Sequence, residues 1–324
     1  MKKYKVCETV ETEDHAMRDV YRDVMIDLAD KNPHIIAMDA DLVNAIGMVP
    51  FREKYPDRMI NCGIQEANMV GVAAGLSIMG KIPFVHTFAC FATRRVADQV
   101  FVSCAFAEAN VRIIGSDPGV TAAFNGATHM PFEDMGIMRG IPFMSVIEPT
   151  DSIMLENILR QLEKEYGNFY VRLSRKNAEQ IYEKGSEFEI GTAALVRDGE
   201  DVCLIAGGIM VAEAVKAADI LKDEGISARV LNIFTIKPID RDAIEAAARE
   251  TGAIVTAENH NIINGLGSAV AEVLVETFPV PMERVGIKDH FGEVGSVDFL
   301  KEKFGLTASV IAEKAKSAIN RKNK

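Results

Sequence analysis

No two cysteines in this 324-residue chain have the spacing of a metal knuckle or a redox dithiol. Cys7, Cys62, Cys90, Cys104 and Cys203 stand apart and read as reduced, small apolar residues of an intracellular protein. No stretch reaches the roughly 18 uninterrupted apolar residues of a membrane span, and no apolar run follows Lys2-Lys3 to make a signal peptide. Positive charge is in deficit, with 36 Lys and Arg against 47 Asp and Glu and a net charge of −11. That balance speaks against nucleic acid and against an acidic membrane as partners, while leaving room for a local basic pocket. A P-loop, a G-x-S-x-G elbow, zinc-spaced His/Cys clusters, low-complexity tracts and short repeats are also missing. What these absences leave is a cytoplasmic globular protein, 48% apolar and long enough for two domains.

The pattern that is present alternates strands with helices, so the expected class is α/β, two domains with mostly parallel sheets. In the first domain Asp14 reads as the N-cap of a helix to about Lys31, followed by the buried strand HIIAM. Strands at 59–64 and 82–87 flank a helix from Gln65 to Met79, and a helix is expected over 94–109. VRIIG, MSVIEP, a helix over 152–166 and FYVRLSR complete the unit. Residues 176–190 lose periodicity and gain charge, as a linker does, which puts the domains at 1–180 and 181–324. In the second domain strands are expected near 193–197, 201–206, 228–234, 253–258 and 283–287. Helices are expected near 210–224, 240–250, 265–277, 296–304 and 307–320.

The chain is organised around 61–91, NCGIQEANMVGVAAGLSIMGKIPFVHTFACF. Its helix is apolar nearly all round and therefore buried, in a core or against a partner. Gly71 and Gly75, one turn apart, would let another helix come close. Glu66 is the one ionisable group on that helix. It reads either as a carboxylate favoured by the helix N-terminus or as a buried carboxylate kept for chemistry. Phe88 and Phe91, taken alone, read as core. Arg18 lies in the first turn of its helix, where a cation opposes the helix dipole and a surface role is the plain explanation.

Polar residues collect at the carboxyl ends of strands, where open parallel sheets bind ligands: Asp39-Ala40-Asp41 after HIIAM and Gly115-Ser116-Asp117 after VRIIG. The long loop DPGVTAAFNGATHMPFED carries Asn125 and His129, and a loop of that length in a compact domain is functional or disordered. Gly207-Gly208 and Gly265-x-Gly267 hint at a dinucleotide fingerprint, but neither completes G-x-G-x-x-G with a following acid. His260 and His290 read as structural, and His86 reads either as reaching a site at its strand's end or, more simply, as a satisfied core histidine.

Taken in order, GIQEANMVGVAAGLS, HTFACF, GATHMPFEDMGIMRGIPFMSVIEPTD and YVRLSRKN resemble the pyrimidine-binding half of transketolases. FTIKPID and ENHNIINGLGSAVAEV are similar to the C-terminal domain of transketolases and deoxyxylulose-phosphate synthases. The G-D-G…N motif that holds the diphosphate and its magnesium in that family is absent. The resemblance thus implies the C-terminal subunit of a split transketolase, inactive alone, in an α2β2 heterotetramer with an N-terminal subunit. Thiamine diphosphate would be shared with that partner, which would hold Mg²⁺, and this chain would hold no metal.

The resemblance also implies roles. Glu66 matches the glutamate that hydrogen-bonds N1′ of the cofactor's aminopyrimidine and so promotes loss of the thiazolium C2 proton. Phe88 matches the aromatic that stacks on the pyrimidine, Phe91 lines the same pocket, and Asp41 lies beside the cofactor. His129 matches a histidine at the reacting carbons; Arg18 and Arg175 match two arginines that grip the substrate's phosphate tail. Ser116 stands where the family has a histidine near that phosphate, and Ala45 replaces a serine. Asn125 replaces a sugar-reading aspartate, and Arg94 replaces a pocket aromatic. The implied reaction moves a two-carbon ketol unit from a sugar phosphate or sulfonated sugar to an aldehyde. A 2-oxo-acid dehydrogenase β subunit, a nicotinamide-dependent reductase and a non-catalytic binding subunit are the competing readings.

Overall fold

The computed structural model describes residues 3–322, so Lys2 lies outside the described residues. Seven strands form the larger sheet, in the order Thr235–Lys237, Met144–Ile147, Asn168–Leu173, Arg112–Ser116, Ile82–Phe88, Ile35–Asp39, Met59–Asn61. All neighbours are parallel except Thr235–Lys237, which runs antiparallel to Met144–Ile147. The five-stranded sheet has the order Met282–Ile287, Ile254–Asn261, Val202–Ala206, Ala228–Asn232, Ala194–Arg197, with only the last pair antiparallel. Strands such as Ile35–Asp39, Arg112–Ser116 and Val202–Ala206 are buried along their whole length, which explains their unbroken apolar runs.

From Ile35–Asp39 the chain goes outward to the edge strand Met59–Asn61. It then returns through the helix Glu66–Ile78 to Ile82–Phe88 on the other side. That reversal makes the carboxyl ends of Ile35–Asp39 and Ile82–Phe88 the topological switch point, where open α/β sheets bind ligands.

Several local expectations are corrected. The first helix begins at Met17 behind an uncapped, extended Ala16, and Asp14 instead pairs with His15 Nδ1 at 2.7 Å. The predicted helix over 94–109 is broken: a tight turn at Arg94–Val96, one α turn at Ala97–Gln99, then a wide π-helical stretch at Val100–Phe106. Inside the supposed linker, Glu179–Tyr182 pairs antiparallel with Val6–Thr12. The helix Glu66–Ile78 buries Met69, Val70, Ala73 and Ala74. Its opposite face, with Gly71, Val72, Gly75 and Ile78, is exposed on the single chain. No described helix is long and apolar enough to cross a membrane.

Candidate active site

Glu66 opens the central helix and is only 3% exposed, an acid placed where the helix dipole favours it. Arg95 Nη1 donates to its Oε1 at 2.6 Å, while Oε2 takes no hydrogen bond among the described residues. The tight turn at Arg94–Val96 sends two consecutive arginines into one site. Arg95 lies 3.8 Å above the Phe91 ring. Arg94 donates to the Thr128 carbonyl at 3.0 Å and pairs with Glu133 at 3.2 Å. Phe88, Phe91 and His129 form a cluster of edge-on rings, with centroids 6.3, 5.8 and 5.1 Å apart. His129 Nδ1 is 2.8 Å from the Thr128 hydroxyl.

The two arginines implied for the substrate tail converge on one acceptor. Arg18 Nη1 and Arg175 Nη1 donate to the Ala45 carbonyl at 3.1 and 3.2 Å. Arg175 also donates through Nε to Asp117 Oδ2 at 2.8 Å and lies 4.9 Å over the Phe88 ring. Arg18 Nε is buried with no hydrogen-bond partner among the described residues, a donor open to an acceptor. Asp41 is exposed, with φ of 66°, and Asn61 orders it by accepting from Asp41 N at 3.0 Å and donating to Asp41 Oδ1 at 3.3 Å. Asn61 Oδ1 also accepts from Gly63 N at 3.0 Å, which ties the entry of the central helix to the same strand ends.

Ser116 ends the strand Arg112–Ser116, in register with Phe88. It is fully buried and its hydroxyl is 3.0 Å from His86 Nε2, whose Nδ1 is 2.6 Å from Asp39 Oδ2. This Asp39–His86–Ser116 row is buried across the ends of three adjacent strands. Asn125 is exposed on the long loop and makes no side-chain hydrogen bond among the described residues. Sequence reasoning missed Arg95 and Asn61, and it marked Asp117 and Asp39 only by their place at strand ends, without a partner for either. For Asp117 and Asp39 the strand-end position was a usable signal; for Arg95 there was none.

A planar ring with hydrogen-bonding nitrogens fits this geometry. The guanidinium of Arg95, itself planar and nitrogen-rich, lies over Phe91 while bonding Glu66, so one planar group reaches both the acid and the ring pocket. Glu66, Phe88, Phe91 and Asp41 are thus the residues that could hold the aminopyrimidine half of thiamine diphosphate. Among the described residues no group of His, Cys, Asp and Glu could hold a metal ion. The glycine motifs serve internal carboxylates. Leu266 N and Gly267 N donate to Glu258 at 2.7 and 2.9 Å, and a side chain at Gly265 would collide with Glu258 Oε2. Burial pushes the Glu258 carboxyl up to about 8 and the His260 imidazole down to about 4.

Residues 13–180 match the family model of the transketolase pyrimidine binding domain, and residues 191–311 that of the transketolase C-terminal domain. The chain is similar to the 6-deoxy-6-sulfo-D-fructose transketolase subunit SqwH of Clostridium sp. (strain MSTE9), 52% identical over 97% of this chain and 98% of the relative. The putative transketolase C-terminal section of Methanocaldococcus jannaschii is 40% identical over 92% and 94%. A solved split gene transketolase, an inactive beta4 tetramer, superposes with a TM-score of 0.89 at 40% identity, covering 95% of this chain and 99% of that one. The buried glutamate, the ring cluster and both matched domains converge on one assignment: this chain belongs to the transketolase family, as the C-terminal subunit of a split, thiamine-diphosphate-dependent enzyme.

Proposed function

We propose that this chain supplies the pyrimidine-binding and tail-binding half of a ketol transfer from an anionic-tailed ketose to an aldehyde, with a sulfonate as the preferred tail. The observation that carries this is the convergence of Arg18 and Arg175 on the Ala45 carbonyl, with Arg18 Nε unpaired. Two guanidiniums and the Asp117 carboxylate leave a net single positive charge. That suits a sulfonate, a monoanion, better than a phosphate monoester, which is mostly dianionic at neutral pH. A sulfofructose transketolase subunit among the similar proteins agrees with this choice.

When bound, thiamine diphosphate supplies the carbon nucleophile that cleaves the ketose C2–C3 bond. Glu66 Oε2 holds a proton against the pyrimidine ring nitrogen, in a buried setting where that contact is not diluted by water. Phe88 stacks on the ring and Phe91 lines the same pocket. His129, seated against both phenyl rings, presents Nε2 to the substrate oxygens, and Asn125 reads a hydroxyl from the loop. Arg18 and Arg175 set the distance from the tail to the reacting carbons, which is the positioning part of the rate enhancement.

A second subunit binds the diphosphate and Mg²⁺ and docks on the exposed apolar surface of the central helix, giving an α2β2 assembly in the cytoplasm. A Cβ added at Gly71 or Gly75 would meet no atom of the described residues within 4 Å outside its own stretch of helix, so that face is open to close contact. Ile78, Met79, Phe101 and Phe106 continue the surface. The reading is tested by reconstituting the complex with thiamine diphosphate and Mg²⁺ and comparing phosphate- and sulfonate-tailed ketoses of one carbon skeleton. Ketol transfer by the mixture only, with higher kcat/KM for the sulfonate, is expected. Equal or better use of the phosphate would refute the tail preference.

A further inference from the structure

The long loop that carries Asn125 and His129 is held from the other domain. Asn259, on the strand Ile254–Asn261 of the five-stranded sheet, is 1% exposed. Its side-chain Oδ1 accepts from Val120 N at 2.9 Å and its Nδ2 donates to the Pro118 carbonyl at 3.0 Å. The amide thereby pairs with both sides of Gly119, as a neighbouring strand would. The fit leaves no room: a side chain on Gly119, whose φ is +56°, would collide with Asn259 Oδ1.

The next residues of the same strand hold the loop's other end. Asn261 N donates to the Phe132 carbonyl at 2.8 Å, and Gly136 N donates to His260 Nε2 at 3.3 Å. Arg172 Nη2 locks Asn259 in turn by donating to its carbonyl at 2.9 Å. Immediately before the gripped turn sits Asp117, the carboxylate that aims Arg175. Between the two anchors, Phe124 and Asn125 are exposed.

We infer that Asn259 is a positioning residue for catalysis: through the Pro118–Val120 turn it sets Asp117–Arg175 and the root of the Asn125–His129 loop. The role rests on the reading of Arg175 as a tail ligand. It gives the C-terminal domain a part in substrate binding without a residue in the site. An asparagine is needed because the turn offers one donor and one acceptor. Aspartate keeps the acceptor for Val120 N but sets a carboxylate oxygen against the Pro118 carbonyl, and alanine leaves Val120 N unpaired.

The test uses full-length chain with Asn259→Ala and Asn259→Asp. In hydrogen exchange on the chain without its partner, peptides over 117–131 should exchange about tenfold faster or more, with the strand Val202–Ala206 unchanged. In the reconstituted enzyme, KM for the sulfonate-tailed ketose should rise about tenfold with kcat changed less, while the same ketose without the tail shows little change in KM. Unchanged exchange over 117–131 would overturn the anchoring. Faster exchange with equal losses for tailed and tailless donors would overturn the link to Arg175. If the wild-type complex shows no preference for tailed donors, the reading of Arg175 fails, and the exchange result still decides the anchor.

Discussion

Arg95 donates to Glu66 Oε1 at 2.6 Å while its guanidinium covers the Phe91 ring at 3.8 Å, so one side chain occupies both the acid and the aromatic face of the site. A ring seated on the Phe91 face must move the Arg95 guanidinium aside, while Glu66 Oε2 is open to it already. Arg95 is 42% exposed, so solvent screens the pair and its displacement costs little. Replacing Arg95 with alanine should tighten thiamine diphosphate binding to the complex by about three- to tenfold, from the loss of one ion pair and one cation–π contact. Calorimetric titration measures this, and weaker binding would show that Arg95 supports the cofactor instead.

Substituting the catalytic candidate itself separates chemistry from binding. Glu66→Gln should lower kcat by about 10²–10⁴ with the cofactor still bound, the range expected for removing a general acid–base group. An unchanged kcat would mean that this glutamate does not act on the ring.

The tail arginines predict a split between kinetic constants. Arg18→Ala or Arg175→Ala should raise KM for the anionic-tailed donor by about 10- to 100-fold, the worth of a charge-assisted hydrogen bond. Steady-state kinetics with tailed and tailless donors checks it, and an unchanged KM for the tailed donor rules the pair out as a tail site.

The glycines of the central helix predict opposite effects on fold and assembly. In Gly71→Leu the new Cβ meets no described atom within 4 Å outside its own stretch of helix, and leucine replaces a poor helix former, so the lone chain should gain up to about 1 kcal/mol. The same substitution should block docking of the partner subunit, seen by sedimentation of the mixture. Full assembly of the variant would place the interface elsewhere.

The buried Glu258 predicts a slope in stability. Burial raises its carboxyl to about 8 from an ordinary 4.5, while His260, lowered to about 4 from 6.5, is neutral above 6.5 in both states. Between pH 6.5 and 8 the unfolded chain has lost the Glu258 proton and the folded chain keeps it, so stability falls as pH rises, by up to about 1.4 kcal/mol per unit. Denaturant titrations across this window should show the decline in wild type and a flatter profile in Glu258→Gln.

The order of motifs along the chain singled out Glu66, Phe88, Phe91, His129, Arg18 and Arg175, and contacts through Arg95, the Phe88 ring and the Ala45 carbonyl link them in the fold. Strand and helix periodicities are local properties, and a family's motifs are local too, so both are legible residue by residue. Local pattern also carried the apolar character of the Glu66–Ile78 helix and the two alternating α/β units. Pairings between distant segments were not legible. The strand Thr235–Lys237, from the second half, completes the edge of the first sheet, and Val6–Thr12 finds Glu179–Tyr182 across the chain. Ser116 is turned inward to His86 by the register of adjacent strands, and Arg95 reaches Glu66 because a tight turn replaces the expected helix. Asn259 grips the turn at Gly119 from the other domain, a contact set by how the domains pack. The sequence by itself determined which chemistry the chain can offer; tertiary packing decided which side chains meet one another, because hydrogen-bond geometry depends on distances that sequence separation does not encode.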